Sequence, residues 1–220
     1  RQALEECDVA IMVGARLDNQ MNFGNAPLFP DSPQLICVNG SHEELEMNRS
    51  ADHVLLSDPG AFFDALLGLE ARGDWQLGRA WFDANRRWRD DWVKTTLADL
   101  ARDTDATARD GGKIHPLQLS LDVQAAMGEN DWLVFDGGNT HFWSKIAVNL
   151  AGWQGQKLAG ILHPGSFSLL GVGVSLAIAA KNTHPDANVV LISGDGAFLS
   201  GGLSIEAAFQ ENLPIVIVID

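Results

Sequence analysis

Cysteine is nearly absent. Two occur in 220 residues, Cys7 and Cys37, too few for a disulfide framework. Both lie in apolar, strand-like segments, so they read as buried thiols in a reducing, cytoplasmic compartment. Basic residues are also scarce: 15 Lys and Arg stand against 29 Asp and Glu, a formal charge of −14. A surface this acidic repels phosphate backbones and anionic lipid, which argues against nucleic-acid and membrane-surface binding. No apolar run approaches the ~18–20 residues of a membrane span, and no signal peptide opens the chain. Internal repeats and low-complexity stretches are lacking too. What is present suits a folded globular chain, with 46% hydrophobic and 20% charged residues. The length allows one large or two small domains at roughly 100–200 residues per domain. Arg1 is not an initiator Met and Asp220 ends an apolar strand, so the length reads as a piece of something larger.

Three regions emerge along the chain. In residues 1–71, strand-like runs at Asp8–Val13, Gln34–Val38 and His53–Leu56 alternate with helical segments. Ser41 and Glu44 have capping-box spacing before a short helix, and Asp58-Pro59 opens a helix through Leu69. Residues 72–113 carry Trp75, Trp81, Trp88 and Trp92 without strand alternation. The spacing places the last three on one stripe of a helix, read as a linker laid on a neighbouring domain rather than a stacking platform. Polar Asp99–Lys113 reads as a loop. In residues 114–220 the pattern predicts a helix at Pro116–Met127 and the strand Trp132–Phe135. A turn at Asp136–Thr140 follows, with a helix from His141. Further on come an apolar helix at Leu170–Ala180, the strand Asn188–Ser193, a helix at about Gly202–Glu211 and the strand Pro214–Ile219. Alternating strands and helices predict an α/β chain: two doubly wound parallel-sheet domains, both incomplete, joined by a helical linker.

The sharpest local feature is Ser193-Gly194-Asp195-Gly196-Ala197. A carboxylate ending a buried parallel strand is placed to hold a hard cation, and flanking glycines let backbone amides approach a phosphate. One Asp cannot hold Mg²⁺ alone, because that ion takes one or two carboxylates plus substrate phosphates and water. A plain strand-ending turn is the alternative reading. Gly171-Val172-Gly173 lacks the third glycine of a dinucleotide fingerprint. His115, His141 and His163 fit no zinc spacing, although His141 and His163 flank the glycine turns. Glu206 and Glu211 read as solvated or capping charges.

Gly194-Asp195-Gly196, followed by a helix and the strand Pro214–Ile219, resembles the thiamine diphosphate signature. In that family an Asn-Asn pair follows the strand, and here it would fall immediately after Asp220. Gly138-Asn139-Thr140 resembles the G-A-N-T turn of the 2-hydroxyacyl-CoA lyase and oxalyl-CoA decarboxylase branch. Pro164 to Gly173 is similar to that branch's A-G-T-F-G-T-M-G-V-G, with departures at Ser168 and Leu169. Gly14-Ala15-Arg16 and the run from Val38 to Arg49 resemble the family's central domain. Asn39 and Ser41 replace two acids of the familiar V-D-I-D-P-E-E.

The resemblance implies a thiamine diphosphate- and Mg²⁺-dependent enzyme of the acetolactate synthase, 2-hydroxyacyl-CoA lyase and oxalyl-CoA decarboxylase group. It would make or break C–C bonds next to a carbonyl by 2-oxo acid decarboxylation or carboligation, with 2-hydroxyacyl-CoA lyase or benzaldehyde lyase activity as the alternative. The implied cofactor residues are Asn139, Thr140, Gly194, Gly196 and Ala197 at the diphosphate, Leu170 under the bent cofactor, and Asp195 as metal ligand. FAD or ADP in the central domain, touched by Arg16, is the alternative to a purely structural role there. The implied substrates are a 2-oxo acid, an aldehyde or an acyl-CoA, and the implied assembly a homodimer or homotetramer. The resemblance implies no activating Glu in this chain, since the family takes it from a partner subunit's amino-terminal domain. A non-catalytic nucleotide-binding module and an interaction piece remain as rival classes.

Overall fold

Apolar strands near the two ends of the sequence sort into two separate parallel sheets. The computed structural model describes residues 2–31, 33–45, 47–70, 78–109 and 112–220. Trp75 lies outside them. The chain divides into two compact units, Arg1–Trp92 and Val93–Asp220.

In the first unit, helix α1 (Gln2–Glu6) precedes strand β1 (Val9–Val13), with β2 (Gln34–Asn39) and β3 (His53–Leu56) following. The sheet order is β1-β2-β3, every pair parallel, with Val9 opposite Gln34 and Ile36 opposite His53. Strand alternation sends Ala10, Met12, Leu35 and Cys37 to a core with Leu17, Phe29 and Leu45. The long connection between β1 and β2 has no regular strand to hold it. Arg49 pins it instead, donating to the carbonyls of Gly24 (3.0 Å) and Pro30 (2.9 Å) with its guanidinium over Phe29. Helix α2 (Pro59–Glu70) starts as its Asp-Pro pair predicts. Asp58 Oδ1 accepts from the amides of Gly60 (2.8 Å) and Ala61 (3.2 Å). The capping box at Ser41 does not form, and Ser41 makes no side-chain cap. Asn39 takes that role: its Oδ1 accepts from the Ser41 amide and its Nδ2 donates to Glu44.

Helix α3 (Arg79–Arg109) overturns the loop expected from Asp99 onward. Val93, Leu97 and Leu100 recur at helical spacing and pack on Leu117, Ala147 and Leu150, so tertiary burial outweighs a polar composition. The tryptophan stripe is real on the amino-terminal part of this helix, where Trp81 and Trp88 meet edge-on with centroids 5.5 Å apart.

The second unit continues with α4 (Pro116–Ala125), β4 (Trp132–Phe135), α5 (Asn139–Trp153), β5 (Gly160–Leu162), α6 (Gly173–Thr183), β6 (Val189–Ser193), α7 (Asp195–Gly201), α8 (Ile205–Gln210) and β7 (Val216–Ile219). Its sheet is wholly parallel in the order β5-β4-β6-β7. Val134, Val189 and Leu191 face α6 through Val174, Ala177 and Ala180. The alternate residues Leu133, Phe135 and Ile192 face Val123 of α4 and Val148 of α5. Helices thus cover both faces, the doubly wound arrangement the pattern predicts. Several helix boundaries differ from expectation. α6 begins at Gly173 rather than Leu170, after Gly171 at φ +83°. The helix expected at Gly202–Glu211 opens as a 3₁₀ turn at Gly202–Ser204, and its α-helical part is Ile205–Gln210. Among the described residues no helix is long and apolar enough to cross a membrane.

Candidate functional site

Strand order decides where a ligand can sit in the second unit. β4 lies between β5 and β6, so its crossover leaves toward one edge while that of β6 leaves toward the other. The carboxyl ends of β4 and β6 therefore border the crevice in which open α/β sheets hold ligands. Asp136-Gly137-Gly138 follows β4 and Gly194-Asp195-Gly196 follows β6, which brings the two glycine turns of the sequence to this one place.

The contacts across the crevice are close. Helix α5 starts at Asn139 after Gly138, whose φ of +84° is open to glycine and strained for other residues, and no side chain caps its first turn. Uncapped amides at a helix start form an anion site. A methyl added to Gly138 would lie 3.0 Å from Leu170 Cδ2, so Leu170 stands beside this turn. A methyl on Gly194 would lie 3.2 Å from Thr140 Oγ1, whereas at Gly196 nothing lies within 4 Å. Asn139, Thr140, Leu170 and the run from Gly194 to Ala197 are thus neighbours. Asn139, Leu170, Asp195 and Gly196 are exposed, while Thr140 and Ala197 are buried beneath them. Asp195 Oδ1 accepts from the Gly196 amide at 2.6 Å, and Thr140 Oγ1 donates to Asp220 Oδ2 at 3.3 Å.

A phosphorylated cofactor fits this donor set. Glycines clear the approach, an uncapped helix start offers amides, and the exposed carboxylates of Asp195 and Asp220 stand at the rim. Among the described residues no group of three or more His, Cys, Asp or Glu could hold a metal ion. Asp195 accordingly suits a cation that arrives with phosphate oxygens rather than one caged by protein alone.

The histidines divide by environment. His115 caps α4, its Nδ1 accepting from the Leu117 amide at 3.1 Å, so Pro116 at the first helical position was its signal. His163 Nδ1 accepts from the Gly165 amide at 3.0 Å, and its ring stacks on Phe135. His141 is fully buried, edge-on to Phe135 and His163. Among the described residues neither of its ring nitrogens has a hydrogen-bonding partner. Burial pushes its pKa down from 6.5 to about 4, with Lys145 and then His163 adding to the effect. His163 is lowered too, by burial and then by Lys145. Sequence reasoning passed over Asp136, naming it only as the start of a turn. It is an acid directly after a buried strand and before two glycines, a signal close to the one that marked Asp195.

Arg16 belongs to the first unit and is exposed after β1. Its Nη1 lies 3.4 Å from Glu44 Oε1, and Glu44 is also bonded by Asn39 at 3.2 Å. The guanidinium is therefore engaged by an acid of its own unit.

Comparison with known proteins agrees with this geometry. Residues 1–66 match the family described as thiamine pyrophosphate enzyme, central domain, and residues 136–219 match the thiamine pyrophosphate enzyme C-terminal TPP binding domain. The chain is 27% identical over 227 residues to 2-hydroxyacyl-CoA lyase 1 of Mus musculus, covering 99% of this chain and 36% of that protein. It is 27% identical over 222 residues to 2-hydroxyacyl-CoA lyase of Arabidopsis thaliana, covering 99% and 37%. Against the acetolactate synthase large subunit IlvG of Mycobacterium tuberculosis it is 28% identical over 223 residues, again covering 99% and 37%. The chain thus spans about a third of the length of these relatives. These two successive domain matches, which together take in most of the chain, mean that it belongs to the thiamine pyrophosphate enzymes.

Proposed function

We propose that the chain carries the diphosphate and metal side of a thiamine diphosphate- and Mg²⁺-dependent enzyme that makes or breaks C–C bonds next to a carbonyl, of acetolactate synthase type. The observation that carries this is the meeting of the Asn139–Thr140 helix start with the Gly194–Ala197 turn at the strand-order reversal. Thiamine diphosphate, when bound, supplies the electron sink that stabilises a carbanion, which protein side chains lack. The chain's own residues bind and orient it. The amides at the start of α5 face the diphosphate, and Asp195 supplies one carboxylate to the cation that neutralises it. Leu170, exposed beside Gly138, offers an apolar support for the cofactor's rings. Asp195 is one carboxylate where the cation needs further ligands. The 220-residue chain therefore binds thiamine diphosphate weakly and shows no turnover by itself.

A 2-hydroxyacyl-CoA lyase type of activity is the second reading. The Gly138-Asn139-Thr140 turn and the names of two relatives favour it. ADP or FAD at Arg16 stands as the proposal for the first unit beside a purely structural role, the exposed guanidinium lying 3.4 Å from Glu44 Oε1 in a weak surface pair. The full-length protein is proposed to act as a homodimer or homotetramer in the cytoplasm, on a small 2-oxo acid, aldehyde or acyl-CoA.

Titration calorimetry with thiamine diphosphate tests the assignment. Heat of binding is expected with Mg²⁺ present and not with chelator, and Asp195→Ala should abolish the Mg²⁺-dependent part. Unchanged affinity in that variant would show the metal assignment wrong, and measurable decarboxylation by the 220-residue chain would refute its inactivity.

A further inference from the structure

The deepest acid of the crevice is Asp136, fully buried directly after β4. Its two oxygens tie its own turn to two segments that are distant in sequence. Oδ1 accepts from the amides of Gly137 at 2.8 Å and Gly171 at 3.0 Å, and Oδ2 accepts from Ser193 Oγ at 3.3 Å. Gly137 leads into Asn139 and Thr140, Gly171 follows Leu170, and Ser193 precedes Gly194 and Asp195. One carboxylate therefore bonds the turns behind all three groups of residues assigned to the cofactor.

The surroundings leave no slack. A methyl on Gly173 would lie 2.8 Å from Asp136 Oδ2, and one on Gly137 would collide with the backbone carbonyls of Ser168 and Leu169. A buried charge persists where it is hydrogen-bonded. A carboxylate near a diphosphate is electrostatically unfavourable, so ligand attraction does not account for an acid at this position. Its geometry does.

We propose that Asp136 is the positioning residue of this site. It does not touch the cofactor; it sets the spacing between the Leu170 turn, the start of α5 and the Asp195 turn. The inference rests on the thiamine diphosphate reading for the identity of the ligand, but not for the bonds themselves. Asparagine can keep the pattern, its Oδ1 accepting from both amides and its Nδ2 donating to Ser193 Oγ. Alanine cannot.

The test uses the isotope-labelled 220-residue chain. A scalar coupling across the hydrogen bond, from the Gly171 amide nitrogen to the Asp136 carboxyl carbon, is expected without any substitution. In Asp136→Ala the Gly171 amide should exchange with solvent about tenfold faster, and the dissociation constant for Mg²⁺-thiamine diphosphate should rise by about the same factor. In Asp136→Asn both should stay near the unsubstituted values, a rescue that loss of packing alone would not give. An unprotected, uncoupled Gly171 amide in the unsubstituted chain overturns the inference, and so does unchanged protection in Asp136→Ala. If the alanine variant fails to fold by circular dichroism, the coupling and the asparagine variant still decide. Failure of the unsubstituted chain to bind thiamine diphosphate sinks the ligand reading and leaves the exchange rates to judge the positioning.

Discussion

Burial of a neutral imidazole makes His141 a pH-sensitive point of the second unit. Its pKa falls from 6.5 to about 4 on folding. Between those values the unfolded chain takes up a proton that the folded chain refuses. The stabilisation is therefore complete above pH 6.5 and is lost as pH drops toward 4, by about 3 kcal/mol over that window. Urea unfolding at pH 7 and pH 4.5 should show this loss in the parent chain and a shallower one in His141→Leu. Equal slopes would assign the acid sensitivity to other groups. At this scale the sequence was legible where a residue type carried its own meaning. Asp195 between glycines pointed to phosphate and metal chemistry before any coordinates. Asp136 did not stand out, because its importance lies in bonds to Gly171 and Ser193, 35 and 57 positions away.

Among the elements, α3 was least legible and is the most informative. Its composition from Asp99 on is that of a loop, yet Val93, Leu97 and Leu100 bury one face against α4 and α5. Leu100, buried in that cluster, is the residue to truncate. Leu100→Ala should cost about 2–5 kcal/mol through lost burial and the cavity left behind, read as a lower urea midpoint with an unchanged slope. A cost within about 0.5 kcal/mol, as at an exposed site, would mean the helix is not held by this face. The strands β1, β2, β3, β4, β6 and β7 were readable as apolar runs between turn residues. β5 was not, since three residues, Gly160–Leu162, are too few for any periodicity. α5 was expected from His141 but starts at Asn139, and those two residues matter, because they put Asn139 and Thr140 in the uncapped first turn.

Over the whole molecule, the second unit leaves much apolar surface uncovered. Leu199, Leu203 and Phe209 are 82%, 92% and 81% exposed, an arrangement that favours association. Light scattering on the purified chain should show mass rising with concentration, and the double substitution Leu199→Glu and Leu203→Glu should suppress the rise. Identical mass curves would remove these residues from any interface. The net charge of −14 does not conflict with the proposed diphosphate site, because amides and a divalent cation would bind a diphosphate locally whatever the distant charges do. The sequence by itself determined the α/β class, the glycine turns and the family, all of which are written in short local patterns. Only the tertiary structure decided that the β4 and β6 turns share one crevice, that α3 continues to Arg109, and that Asp136 bonds to Gly171 and Ser193. Strand order and buried hydrogen bonds join residues far apart in the chain, and no local pattern encodes which distant partner a buried carboxylate will find.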